Sequence, residues 1–138
     1  MTTDIQRHIA DGNWEAAKRH AESVVDTQPA NPLGHAYLGY VLAHFGNYER
    51  AAECLRVATT LDNQLWQAGI LLAQVLDRLL RFQEALEVTE AFLKVKPSHP
   101  TLVHLREGLK RNVPEKITDS WQKSVFLDWH SVELPQHE

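Results

Sequence analysis

Histidine and cysteine are the side chains of this sequence best suited to metal binding. The chain has eight histidines and one cysteine, Cys54. Two ligands on one helix typically stand four residues apart, whereas His99 and His104 are five residues apart and His35 and His44 nine. The spacing therefore predicts no metal site.

The sequence also lacks the patterns that usually accompany catalysis or a bound cofactor. Cys54 lies between Glu53 and Leu55 in an apolar helical pattern, a position typical of a packing cysteine rather than a nucleophile. A glycine-rich phosphate loop and a Gly-x-Ser-x-Gly motif are both missing from the sequence. We therefore expect a protein that is not an enzyme and that has no cofactor.

Composition and charge favour one ordinary globular domain. Of the 138 residues, 43% are hydrophobic and 23% are charged, which argues against intrinsic disorder. A net charge of -4 predicts no general attraction to nucleic acid or anionic lipid. No apolar run is long enough for a membrane span, and the first residues do not resemble a secretory signal. Together with the single cysteine, this predicts a cytoplasmic protein.

An internal period of 34 residues organises the chain. Aromatic residues recur at this interval, at Trp14, Tyr48 and Phe82. A small residue follows each aromatic three positions later, at Ala17, Ala51 and Ala85. A fixed period of this length is the signature of a repeat architecture, in which each repeat buries its apolar face against its neighbours.

Each period has the pattern of two helices joined by a tight turn. Apolar residues of the second period follow helical spacing, at Leu38, Val41, Leu42 and Phe45. Asn31 and Pro32 form a helix start, Gly46 permits a left-handed stop, and Asn47 can cap the next helix. The sequence therefore predicts a series of helical hairpins.

At these residues the chain resembles the tetratricopeptide repeat (TPR) family. The similarity rests on the Leu38-Gly39 pair, the turn Gly46-Asn47-Tyr48 and the closing prolines Pro29 and Pro97. It covers residues 1–112 and implies an all-α fold, a right-handed α-solenoid. This solenoid would contain about three helix-turn-helix hairpins, the first one truncated, followed by a capping helix from about residue 100 to 110.

The chain departs from the family pattern at several positions. His35 and Gly69 replace the family's aromatic residue on the first helix of a hairpin, and Asn63 replaces one closing proline. We expect the fold to tolerate these changes. Gly39 and Ala51 are small, and we expect them where helix axes approach closely.

Residues 113–138 form a C-terminal extension beyond the predicted solenoid. After the break at Pro114, apolar residues follow at steps of four, at Ile117, Trp121, Val125 and Trp129, which predicts an amphipathic helix. Two interpretations remain open. The helix packs on the last repeat as an additional cap, or Trp121, Phe126 and Trp129 occupy the groove or bridge to a second molecule.

The family resemblance implies that the first helix of each hairpin lines a concave groove. By register, the groove residues are Gln6, Ile9, Leu33, Ala36, Tyr40, Ala43, Gln67, Ile70, Gln74 and Asp77. Some family members hold the acidic tail of heat-shock chaperones with Lys, Asn and Arg side chains. The matching positions here are Thr2, Gln6, Tyr37, Gln67 and Leu71, so we do not expect that ligand.

The sequence therefore predicts a non-catalytic adaptor or scaffold that binds a peptide or helix of another protein in its groove. Two alternatives stay open. One is a small TPR chaperone for a secreted or aggregation-prone protein. The other is a self-assembling scaffold, a homo-oligomer formed through the C-terminal tail.

Overall fold

The structure is a computed structural model that describes residues 2–110, and all of its regular elements are helices. Seven helices follow one another in this range: α1 Thr2–Ala10, α2 Trp14–Thr27, α3 Pro32–His44, α4 Tyr48–Leu61, α5 Trp66–Arg78, α6 Phe82–Leu93 and α7 Pro100–Lys110. None of the described helices is both long and apolar enough to cross a membrane.

The helices pair in chain order and stack into a solenoid. The hairpins are α1 with α2, α3 with α4, and α5 with α6, while α2 packs on α3 and α4 packs on α5. Helix α7 packs on α6 and α5, in the segment predicted to form the cap. With 9 residues, α1 is shorter than α3 and α5, which have 13 each. The predicted all-α solenoid is confirmed.

The predicted turn residues begin and end the helices of the second hairpin. Asn31 Oδ1 accepts a hydrogen bond from the Leu33 backbone N–H at 3.1 Å, and Pro32 is the first residue of α3. Asn47 Oδ1 accepts from the Arg50 N–H at 3.4 Å. Gly46 has φ +82°, a left-handed conformation that glycine adopts without steric strain.

The third hairpin forms the same turn from less suitable residues. Leu80 takes the place of glycine with φ 62°. Arg81 at the next position makes no side-chain cap to the helix. Its guanidinium instead donates to Glu84, with Nε 2.6 Å from Oε2. Backbone hydrogen bonds close the turn: the Leu80 N–H donates to the carbonyl oxygen of Asp77 at 3.0 Å, and the Arg81 N–H donates to that of Leu76 at 2.9 Å.

Small residues lie where the helices are closest. Ala17, Ala51 and Ala85 are each fully buried. A β-carbon on Gly39 of α3 would lie 2.6 Å from Leu55 Cγ of α4, so only glycine fits this crossing without movement. The core runs along the whole stack, because α3 and α5 are buried on nearly every face.

Several predictions fall beyond the described range. The described residues end at 110. Three predictions therefore lie outside them: the boundary of a C-terminal extension at residue 113, its amphipathic helix, and the contacts of Trp121, Phe126 and Trp129.

Candidate functional site

The predicted groove residues lie on three neighbouring helices. Helices α1 and α3 are in contact, and so are α3 and α5. The residues are distributed as Gln6 and Ile9 on α1, Leu33, Ala36, Tyr40 and Ala43 on α3, and Gln67, Ile70, Gln74 and Asp77 on α5. We call this set of ten residues the concave surface.

The concave surface is withdrawn from solvent. Gln6 is half-buried, and the other nine residues are buried. Three of them carry polar groups on α5: Gln67 is 3% exposed, Gln74 4% and Asp77 0%. Polar groups at such depth require hydrogen bonds or a charged partner to offset the loss of water.

Burial also changes the electrostatics of the tyrosines at this surface. Burial raises the pKa of Tyr40 well above its usual range, and it raises the pKa of the adjacent Tyr37 in the same way. Both phenols therefore stay neutral throughout the physiological range. The Oε1 atom of Gln74 is buried, and within residues 2–110 no group donates a hydrogen bond to it.

An aromatic cluster borders the concave surface where α2 meets α3. The rings of Trp14 and His44 are stacked, with centroids 3.7 Å apart and an interplanar angle of 8°. Tyr40 meets the Trp14 ring edge-on, with centroids 5.8 Å apart. Sequence reasoning considered His44 only as a metal ligand, although Tyr40 and His44 are four residues apart and so share one face of a helix.

The outer face carries a second depression that sequence reasoning missed. A surface pocket of about 370 Å³ is lined by Ala52, Glu53, Arg56, Val57, Thr60, Leu61 and Arg81. Val57 and Leu61 are 41% and 44% exposed. Their spacing of four residues, outside the buried stripe of α4, is the sequence signal that could have indicated this patch.

Neither a three-ligand metal cluster nor an activated cysteine is found among the described residues. Within residues 2–110, no three His, Cys, Asp or Glu side chains converge as a metal site would require. Burial raises the pKa of the Cys54 thiol, which disfavours the reactive thiolate. The concave surface combines apolar side chains with amide, phenol and carboxylate groups, a combination suited to binding a polypeptide segment.

Comparison with protein families supports the repeat architecture. Residues 5–65 match the family model described as Tetratricopeptide repeat. This segment spans α1 to α4, that is, the first two hairpins and the loop after them. No curated protein matches the chain.

Solved structures share the fold at low sequence identity. The Arabidopsis OM64 TPR domain has a TM-score of 0.74 and 15% identity, covering 79% of this chain and 90% of that one. The second TPR domain of human RPAP3, in complex with the HSP70 peptide SGPTIEEVD, has a TM-score of 0.74 and 20% identity, covering 79% and 91%.

A third structure covers nearly the whole sequence. The Sgt2 TPR domain from Aspergillus fumigatus has a TM-score of 0.72 and 17% identity, covering 99% of this chain and 83% of that one. At such identities the likeness shows a common fold. Together with the family model matched over residues 5–65, the 34-residue period and the stacked hairpins, it shows that this chain has the fold of tetratricopeptide repeat domains.

Proposed function

We propose that this protein is a non-catalytic interaction module whose concave surface binds a helical or extended segment of another protein. The observation that carries the proposal is the convergence of three adjacent helices, α1, α3 and α5, on one surface of mixed character. There, the polar side chains of Gln67, Gln74 and Asp77 lie among apolar neighbours.

The chemistry of this surface favours an amphipathic partner. Apolar positions such as Ile70 and Leu33 would receive the apolar face of a helix. The amides of Gln67 and Gln74 both donate and accept, so they suit a polypeptide backbone or polar side chains. Affinity would rest mainly on apolar burial and would depend only weakly on salt.

The charge of the surface argues against an acidic ligand. The HSP70 peptide held by the RPAP3 domain ends in acidic residues. The corresponding positions here include Tyr37, Gln67 and Leu71, none of which is cationic, and Asp77 adds a carboxylate. An acidic tail would therefore find no cation at these positions to bind it.

Affinity capture with a matched pair of variants tests the proposal. Gln74→Arg places a long cation on the concave surface, whereas the control Gln83→Arg makes the same change at an exposed position of α6. We expect a protein captured by the wild type and by Gln83→Arg to be lost with Gln74→Arg. Purified partner and calorimetry would then confirm direct binding, with both variants shown to be folded by circular dichroism.

An unchanged set of captured proteins would place binding elsewhere, for example on the outer pocket beside Val57 and Leu61. The partner's behaviour separates an adaptor from the other two functions. An adaptor's partner is soluble alone, whereas a chaperone's partner aggregates without it. A self-assembling scaffold would instead increase in mass with its own concentration, which light scattering measures.

A further inference from the structure

Helix α5 is buried around its whole circumference. Every residue from Gln67 to Asp77 is buried, which is three full turns. Its described neighbours are α4 and α6 behind it and α3 and α7 at its sides. In a two-layer solenoid these contacts cover the back and flanks of a first helix, and they leave its concave side for a ligand.

The concave side of α5 has specific chemical requirements for whatever covers it. Ile70 is 1% exposed and needs apolar contact. The buried Oε1 of Gln74 accepts no hydrogen bond from the described residues and needs a donor. An amphipathic segment that carries hydrogen-bond donors beside its apolar face meets both requirements.

The chain itself contains such a segment, directly after α7. In residues 114–129, Ile117, Trp121, Val125 and Trp129 recur at steps of four, which would place them along one side of a helix. Side chains that can donate hydrogen bonds, Gln122 and Lys123, lie between these apolar residues. The segment therefore offers both the apolar contact that Ile70 needs and a donor for Gln74.

The segment is also long enough and starts in the right place. Sixteen residues in a helix span about 24 Å. The axes of three adjacent packed helices, such as α3, α5 and α7, extend over about 20 Å. Helix α7 ends at Lys110 and contacts α5, and only three residues separate it from residue 114.

We propose that residues 114–129 bind the concave surface of their own chain and compete there with an external partner. The inference rests on the proposed function, since it names an internal ligand for the same surface. An intramolecular ligand has a high effective concentration, so an external segment must displace it before binding. The measured affinity for that partner is then lower than the affinity of the unoccupied surface.

Tryptophan fluorescence of the full chain tests the proposal. The chain has four tryptophans, so the double variant Trp14→Phe/Trp66→Phe leaves Trp121 and Trp129 as the only indoles. We expect acrylamide to quench these indoles several-fold less than those of a synthetic peptide of residues 113–138. Adding Gln74→Arg should raise quenching toward the peptide's value, whereas adding the control Gln83→Arg should leave it low.

Three results would overturn the proposal. Quenching equal to that of the free peptide would show that the tail is not bound. Protection that Gln74→Arg leaves intact would place the tail against α7 as a cap. Protection that disappears on dilution would show binding to a second copy. If the double variant does not fold, fluorine NMR of the wild-type chain containing 5-fluorotryptophan, assigned with Trp121→Phe and Trp129→Phe, gives the same readout.

The two proposals fail separately. Suppose the tail indoles are quenched as strongly as in the free peptide, while Gln74→Arg still abolishes capture of the partner. The internal ligand is then wrong, and the proposed function is supported. Suppose instead that the tail indoles are protected from acrylamide, while Gln74→Arg leaves the set of captured proteins unchanged. The proposed function is then wrong, and the internal contact is supported.

Discussion

Phe92 of α6 packs its ring directly over Gly69 of α5. A β-carbon on Gly69 would lie 2.5 Å from Cγ of that ring, well inside normal contact distance. Gly69 occupies the position where the family pattern has an aromatic residue on the first helix. The second helix of the same hairpin therefore supplies the aromatic ring, and the glycine makes room for it.

This contact predicts that Gly69→Ala destabilises the protein although alanine favours helix. Overpacking against a confined ring costs ~1–3 kcal/mol, and the gain in helix propensity offsets about 1 kcal/mol of that. We expect the free energy of unfolding, measured by urea denaturation, to fall by about 1 kcal/mol.

A double-mutant cycle identifies the ring as the cause. In the background Phe92→Leu, the smaller side chain leaves space, so Gly69→Ala should be neutral or stabilising there. Equal destabilisation in both backgrounds would contradict the role assigned to Phe92.

The fold could be predicted from sequence because its signals are local and repeated. The 34-residue period, the asparagine caps and Gly46 indicate the hairpins without knowledge of distant contacts. The pairing of Gly69 with Phe92 could not be predicted, since residues 23 positions apart meet only through the stacking. The burial of Gln74 and Asp77 was equally inaccessible, because periodicity gives the face of a helix but not what covers that face.

The turn between α5 and α6 offers a stabilising substitution. Leu80 has φ 62°, a conformation that strains a side-chain-bearing residue, and it is 64% exposed, so it contributes little packing. Leu80→Gly should raise the free energy of unfolding by about 0.5–1 kcal/mol, because the strain exceeds the added entropy of the unfolded chain.

The equivalent turn between α3 and α4 supplies the matched control. Gly46 has φ +82°, so Gly46→Ala introduces the strain that Leu80→Gly removes, and it should lower stability. Both effects are read from the midpoint of urea denaturation. A lower midpoint for Leu80→Gly would mean that the exposed leucine packs more usefully than its exposure suggests.

The stack of Trp14 on His44 predicts an acid-sensitive component of stability. Burial lowers the pKa of His44 below its ordinary value of 6.5. The folded chain therefore binds a proton at this imidazole less readily than the unfolded chain does. His44 therefore contributes stability that is present above pH 6.5 and is lost as pH falls through its folded-state pKa.

Urea denaturation of the wild type and of His44→Phe between pH 7.5 and 5 measures this component. The phenyl ring preserves stacking on Trp14 but does not titrate, so the variant should lose less stability on acidification. Because the two proteins differ only at residue 44, the difference between the two curves is the relevant quantity. Parallel curves would show that protonation of His44 is not coupled to folding.

The buried phenols of Tyr37 and Tyr40 predict the opposite behaviour at high pH. Burial raises both pKa values above the ordinary value of 10.0, so the unfolded chain releases these protons more readily than the folded chain. Their contribution to stability is complete below pH 10 and is lost as pH rises toward the folded-state pKa values.

Urea denaturation followed between pH 9 and 11 should show a midpoint that falls as pH rises, with tyrosinate absorbance near 295 nm appearing as the protein unfolds. Tyr40→Phe removes one titrating group and should reduce the pH dependence, whereas full tyrosinate absorbance in the still-folded protein would contradict the burial of these two residues.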